Sequence, residues 1–279
     1  MVWQGEQRLE NLPRRVPQVL ATALTFIVAV MAWGSGEPEK QVLCPGTPWA
    51  TDLYVIRGQN PGPSVMVIGG IHGTETAGWM VAEQLIQLTV VNGTLVVIPR
   101  ANKPAIARNA RYIKHDLNHS FPGRADGTGE QRLAYEIMQA IGRYDCSLVL
   151  GLHQGRGVHG RDAKRSGQTM ITGIPRATDD FPWRVVEKTN TYIRNARDQF
   201  SVYIYPVAGS SSEESVGKYG NRAYALEASD AYPLRTRARY LRLLVDTCVA
   251  DAGLRLVGNP AGTAGRRPHP AGPQRRRAP

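Results

Sequence analysis

Residues 64–75 read SVMVIGGIHGTE: an apolar run without polar alternation, two glycines, then His72 and Glu75 three residues apart. Such a run suits a strand buried on both faces, as in a parallel sheet covered by helices. Residues 146–153, CSLVLGLH, repeat the design, and in a parallel sheet two such strand ends meet at one edge. A close imidazole and carboxylate with one distant imidazole is the short-then-long spacing of a catalytic zinc site, whose fourth position stays open for water. Each residue also has a plainer use. A strand-ending histidine is ordinarily a hydrogen-bonded polar group, and Glu75 suits the first turn of a helix. The coincidence of His72, Glu75 and His153 is what makes one bound Zn2+ ion the expectation.

The rest of the chain alternates two periods. Residues 53–56 and 65–68 read as neighbouring strands, the second feeding a helix over about 76–88, where Met80, Val81, Leu85 and Leu88 recur at helical spacing. Further strands are expected at 94–98, 148–152, 202–205 and 223–226, and helices at 129–141, 183–195 and 234–250. Strands alternating with helices predict an α/β fold, a three-layer α/β/α sandwich with its site at the carboxyl ends of the strands.

Four segments in order carry a resemblance: GGIHGTETAG, RYIKHDLNHSFPG at 111–123, LGLHQG at 150–155 and AYALEAS at 223–229. Together they resemble the zinc carboxypeptidase superfamily, and most of all its branch of succinylglutamate desuccinylase, aspartoacylase and related bacterial metallopeptidases. The resemblance covers residues 64–249 and implies a mixed sheet of about eight strands. It also implies roles. Glu227 would take a proton from the attacking water and pass it to the leaving amine. Arg111 would polarise the scissile carbonyl, Asn118 would orient a substrate carboxylate, and Asp116 would support the loop and a ligand histidine. The family pattern Asp-Leu-Asn-Arg departs here, because His119 stands where the arginine is expected. Histidine offers a smaller, titratable contact than a bidentate guanidinium. Arg108 and Arg156 are candidates to replace that contact, and equally suit solvated surface positions.

Three functions compete on these residues. An extracytoplasmic carboxypeptidase-like metallopeptidase, acting on peptides that include cell-wall peptides, leads. An N-acyl amino acid deacylase shares every motif, but aspartoacylase-like enzymes carry a further β domain, and few residues with core-forming patterns follow Glu227. A non-catalytic binding module would ordinarily have lost a ligand or the base.

Residues 1–33 are expected to be an export signal or N-terminal anchor: Arg14 and Arg15 precede an uncharged run at 16–33, which is also barely long enough for membrane attachment. Residues 34–50 read as a linker, 51–257 as the catalytic domain, and 258–279 as a disordered basic Pro/Gly-rich tail. The formal charge of +11 owes five units to arginines of that tail, so it implies no specific nucleic-acid partner. Cys44, Cys146 and Cys248 fit no Cys-x-x-Cys motif, and burial as small hydrophobes is expected for the last two.

Overall fold

The computed structural model describes residues 37–173 and 179–258. The expected export segment and nearly all of the basic tail lie outside them. Ten strands are described: β1 (Glu39–Leu43), β2 (Thr51–Arg57), β3 (Asn60–Ile68), β4 (Thr89–Val90), β5 (Asn92–Ile98), β6 (Leu148–Gly155), β7 (Thr169–Thr172), β8 (Ser201–Ile204), β9 (Arg222–Ser229) and β10 (Leu256–Val257). The helices are α1 (Thr76–Leu85), α2 (Lys103–Ala107), α3 (Glu130–Arg143), α4 (Phe181–Asn190), α5 (Ser211–Tyr219) and α6 (Leu234–Asp251). Eight strands form one mixed sheet in the order β1-β2-β5-β3-β6-β9-β7-β8, and β10 pairs with β4 in a small second sheet.

The two-faced apolar strands take the middle. Strands β5, β3, β6 and β9 run parallel in consecutive pairs, with Val67 opposite Val97 and Leu150. Alternation along β3 then divides the core. Val65 and Val67 pack with Val81 and Leu85 of α1, Val185 of α4, and Leu241 and Leu244 of α6. Met66 and Ile68 face the other way, toward Leu133, Ile137 and Ile141 of α3. This is the expected three-layer sandwich. Because its centre is fully buried, a truncation such as Leu150→Ala removes contacts on a closed face and should cost about 2–5 kcal/mol.

Two expectations need correction. Strands β2 and β3 are joined by only Gly58 and Gln59, yet they are not neighbours: β5 lies between them, antiparallel to β2 and parallel to β3. The physical reason is burial. Strand β3 buries both faces of its second half and needs a flanking strand on each side, whereas β2 alternates buried and half-buried residues and suits an outer position. Residues 34–50 are also not simply a linker, since β1 pairs antiparallel with β2 from Glu39 opposite Val55 to Leu43 opposite Thr51. Strand β1 is an edge with mostly exposed side chains, so it carries little apolar pattern. All three cysteines are free and buried, Cys44 included. No helix among the described residues is long and apolar enough to cross a membrane.

Candidate active site

Strand β3 ends at Ile68, and the turn beyond it is stitched to the end of β5. Gly69 N–H donates to the Ile98 carbonyl (2.8 Å), Ala101 N–H to the Gly69 carbonyl (2.9 Å) and Asn102 N–H to the Gly70 carbonyl (2.9 Å). Gly70 has φ of +70°, a backbone state that costs other residues strain. A Cβ on Gly73 would lie 2.2 Å from the Ala105 carbonyl carbon, so only glycine allows α2 to approach this turn. The result turns His72 inward at the sheet edge and sets Glu75 immediately before α1, its carboxylate free of any capping bond. His153 arrives from the end of β6.

The three side chains meet. His72, Glu75 and His153 are 1%, 5% and 2% exposed, and one ligand atom from each lies within 4.8 Å of the others. His72 Nδ1 is 2.7 Å from Glu75 Oε1, His153 Nδ1 is 3.0 Å from Glu75 Oε2, and the two Nδ1 atoms are 3.3 Å apart. Asp116 Oδ1 accepts from His72 Nε2 at 2.9 Å. That contact assigns the hydrogen of the neutral ring to Nε2, so the Nδ1 lone pair faces a carboxylate and a second imidazole.

Such a convergence of lone pairs requires positive charge between them, and two nitrogens with one carboxylate are the donor set of a catalytic zinc site. The residues therefore fit the ion. Without it, protons must serve: burial works against the His72 imidazolium, but Asp116 and Glu75 outweigh it and hold its pKa up at about 9. Glu75 is likewise disfavoured as an anion by burial, and His153 and His72 more than reverse this, holding its carboxyl below the usual range. Asp116 follows the same pattern, its burial outweighed by the hydrogen bond to His72. His153 Nε2 is enclosed with no hydrogen-bond partner, so His153 joins the cluster through Nδ1 alone.

Glu227 of β9 is the ladder partner of His153, which puts both side chains on one face of adjacent parallel strands. Burial, reinforced by the Glu75 carboxylate and opposed by the His153 and His72 rings, holds the Glu227 carboxyl above the usual carboxylate range. Arg111 lies at the exposed rim, donating from Nη1 to Glu75 Oε1 (3.1 Å) and from Nε to Asp116 Oδ2 (3.3 Å). Asn118 is half-buried, and its backbone N–H donates to Asp116 Oδ1 (2.9 Å). His119 is exposed, and its Nδ1 donates to the Ala208 carbonyl (3.2 Å), leaving Nε2 as its outward group. It shares a hollow of about 370 Å3 with Tyr112, Lys114, His115 and Asp116. Arg108 and Arg156 are exposed and make no ion pair among the described residues.

One supporting residue was not foreseen. Glu130, fully buried in the first turn of α3, accepts from Ile113 N–H (3.1 Å) and Lys114 N–H (3.3 Å) through Oε1. It fixes the segment that carries Arg111 and Asp116. A carboxylate at the start of a predicted helix was the visible signal, and it was compatible with nothing more than a helix dipole contact.

The profile of the succinylglutamate desuccinylase/aspartoacylase catalytic domain matches residues 61–172, which include His72, Glu75, Arg111, Asp116 and His153. Over this stretch the chain is similar to that family. A succinylglutamate desuccinylase from Pseudomonas aeruginosa (strain LESB58) is 35% identical over 215 residues, covering 71% of this chain and 62% of that protein. An N-alpha-acetyl-L-2,4-diaminobutyric acid deacetylase from Halomonas elongata is 31% identical over 130 residues, covering 44% of this chain and 34% of that protein. This chain thus spans less than two-thirds of the length of these family relatives. Among solved structures, product-bound Csd4 from Helicobacter pylori matches with a TM-score of 0.68 at 19% identity, covering 75% of this chain and 56% of that chain. The mDAP-bound form of Csd4, described as a D,L-carboxypeptidase, matches at 0.63 and 22% identity, covering 70% and 52%. These two likenesses establish the fold.

Proposed function

We propose that this chain is a zinc-dependent hydrolase that cleaves an amide bond. The observation that carries the reading is the convergence of three buried donors, His72, Glu75 and His153, beside the Glu227 carboxylate. A zinc ion held by those three residues would polarise the scissile carbonyl and make water acidic enough to ionise near neutral pH. Glu227 is suited to accept the water's proton on its carboxylate and to return it to the leaving nitrogen. Arg111 spends Nε and Nη1 on Asp116 and Glu75, and its Nη2 remains as a donor for the developing oxyanion.

For the substrate, the sequence relatives favour an N-acyl amino acid, since the desuccinylase and the deacetylase both act on that class by name. The carboxypeptidase reading keeps support from the fold shared with Csd4. Purified zinc-loaded protein incubated with a mixed set of peptides, cell-wall fragments and N-acyl amino acids, with products read by mass, separates the two. Release of free amino acids from acylated ones alone selects the deacylase, and release of terminal residues from peptides selects the carboxypeptidase. No product from any amide overturns the proposal. The basic flank and apolar run of residues 14–33 support an extracytoplasmic location. Fractionation of the producing cells, with amino-terminal sequencing of the mature chain, tests it: recovery in the cytoplasm with an intact start would refute it.

A further inference from the structure

Gln154 follows His153 directly in β6, so the two side chains leave opposite faces of the sheet. His153 points into the donor cluster, and Gln154 reaches the turn that carries Glu75 from the other side. Its Oε1 accepts from Ala77 N–H (3.3 Å) and its Nε2 donates to the Thr74 carbonyl (3.4 Å). Thr74 and Ala77 flank Glu75, so one amide grips the backbone on both sides of that ligand. The same Oε1 also accepts from Arg237 Nη1 of α6 (3.0 Å). Arg237 in turn donates from Nε to the Tyr232 carbonyl (2.8 Å), in the loop that follows β9. The amide and the guanidinium therefore tie together the turn bearing Glu75, the strand bearing His153 and the exit of the strand bearing Glu227.

We infer that Gln154 and Arg237 are positioning residues that set Glu75 at its distance from His153 and so hold the three donors ready for the metal. The inference rests on the zinc reading above. Its physical basis is that a ligand on a loop is held only as well as the loop. Besides the bonds that stitch Gly69 and Gly70 to the end of β5, the backbone of the Glu75 turn is held by the Glu75 N–H to His72 carbonyl bond (3.2 Å), the Gly78 N–H to Glu75 carbonyl bond (3.1 Å) and the Gly73 N–H to Arg111 carbonyl bond (3.2 Å). None of these refers Glu75 to β6. The Gln154 amide is the polar link from the backbone beside Glu75 to the strand that supplies the other imidazole, and supports of this kind tune metal affinity.

The test measures zinc affinity by competition with a chromophoric chelator, alongside the thermal stability of the metal-free protein. Gln154→Leu keeps the volume and removes every polar contact, and it should weaken zinc binding about 10- to 100-fold. Gln154→Glu keeps both acceptor contacts, toward Ala77 and Arg237, and should recover most of that loss. Arg237→Leu leaves the amide in place without its brace and should fall between wild type and Gln154→Leu. A purely structural role makes a different pattern: Gln154→Leu lowers the stability of the metal-free protein while the folded protein binds zinc with wild-type affinity. That result, or an equal loss in Gln154→Leu and Gln154→Glu, overturns the inference and leaves the zinc site standing. Wild-type protein that takes up no zinc overturns both together.

Discussion

His72, Glu75 and His153 sit at or just beyond the ends of central strands whose ladder register is set by a buried core, whereas Arg111, Asn118 and His119 hang on a loop held from beneath by the Glu130 carboxylate. In the first region the side chains are enclosed and touch one another. In the second they are exposed or half-exposed, and only Arg111 reaches the cluster. The difference teaches where variation is tolerated. A donor that moves by an ångström loses its metal, so these residues belong on rigid strands. A side chain on the loop can change without disturbing the donors, and His119 stands on that loop where the resemblance leads one to expect an arginine.

The largest expected effect breaks the rigid region. His153→Ala removes one of three proposed ligands and should weaken zinc binding by several kcal/mol, on the order of 10³-fold. Chelator competition measures it, and an affinity within threefold of wild type would mean that the cluster is not the metal site. Glu227→Gln comes next. The amide keeps the shape but cannot accept a proton, so turnover should fall about 10²-fold or more while zinc affinity holds. Activity within a few-fold of wild type would assign the base elsewhere.

A third prediction concerns pH in chelator-treated protein. The His72 pKa is raised to about 9 in the folded state. Its protonation therefore contributes stability that is fully present below the unfolded value, about 6.5, and is lost as pH rises through about 9. Asp116 is depressed, so its contribution is present above about 3.9 and is lost only as pH falls through its lower folded value. The melting temperature of metal-free protein should therefore decline from pH 6.5 to pH 9 by more than that of zinc-loaded protein, in which the ion takes the proton's place. Parallel curves for the two forms would refute the paired arrangement of Asp116, His72 and Glu75.

The smallest effect sharpens the comparison from the loop side. Glu130→Ala leaves the Ile113 and Lys114 N–H groups without their acceptor and should cost about 1–3 kcal/mol of stability. Because the loop and not the strand ends is loosened, KM should rise more than zinc affinity falls. Equal losses in both would show that the two regions are one mechanical unit.

The candidate donors were legible because the chemistry coincides with pattern: an unbroken apolar run ending in glycines and a histidine marks a central strand end wherever it occurs. Central strands and long helices were readable for the same reason. Strand β1 was hidden by its exposure, and β7 by its shortness. Helix α5 was hidden as well, since Ser211, Ser212 and Ser215 give it no clear apolar stripe. Glu130 and Gln154 were opaque on different grounds. Each acts through hydrogen bonds to backbone many residues away, and nothing in the local sequence of either segment records its partner.

By itself the sequence determined which segments must be buried, where they stop, and which residues carry imidazole and carboxylate groups at those stops. Periodicity reports burial along one element, and that needs no knowledge of the neighbours. Only the tertiary structure decided that β5 would separate β2 from β3, that Glu227 would stand beside His153, and that Asp116 would fix the hydrogen of His72 on Nε2. Those outcomes depend on where the chain returns after long excursions, as in the 44-residue separation of His72 from Asp116 and the 81-residue separation of His72 from His153. Pairing between distant segments is settled by the packing of the whole core, because each strand's place is the one that buries its particular faces.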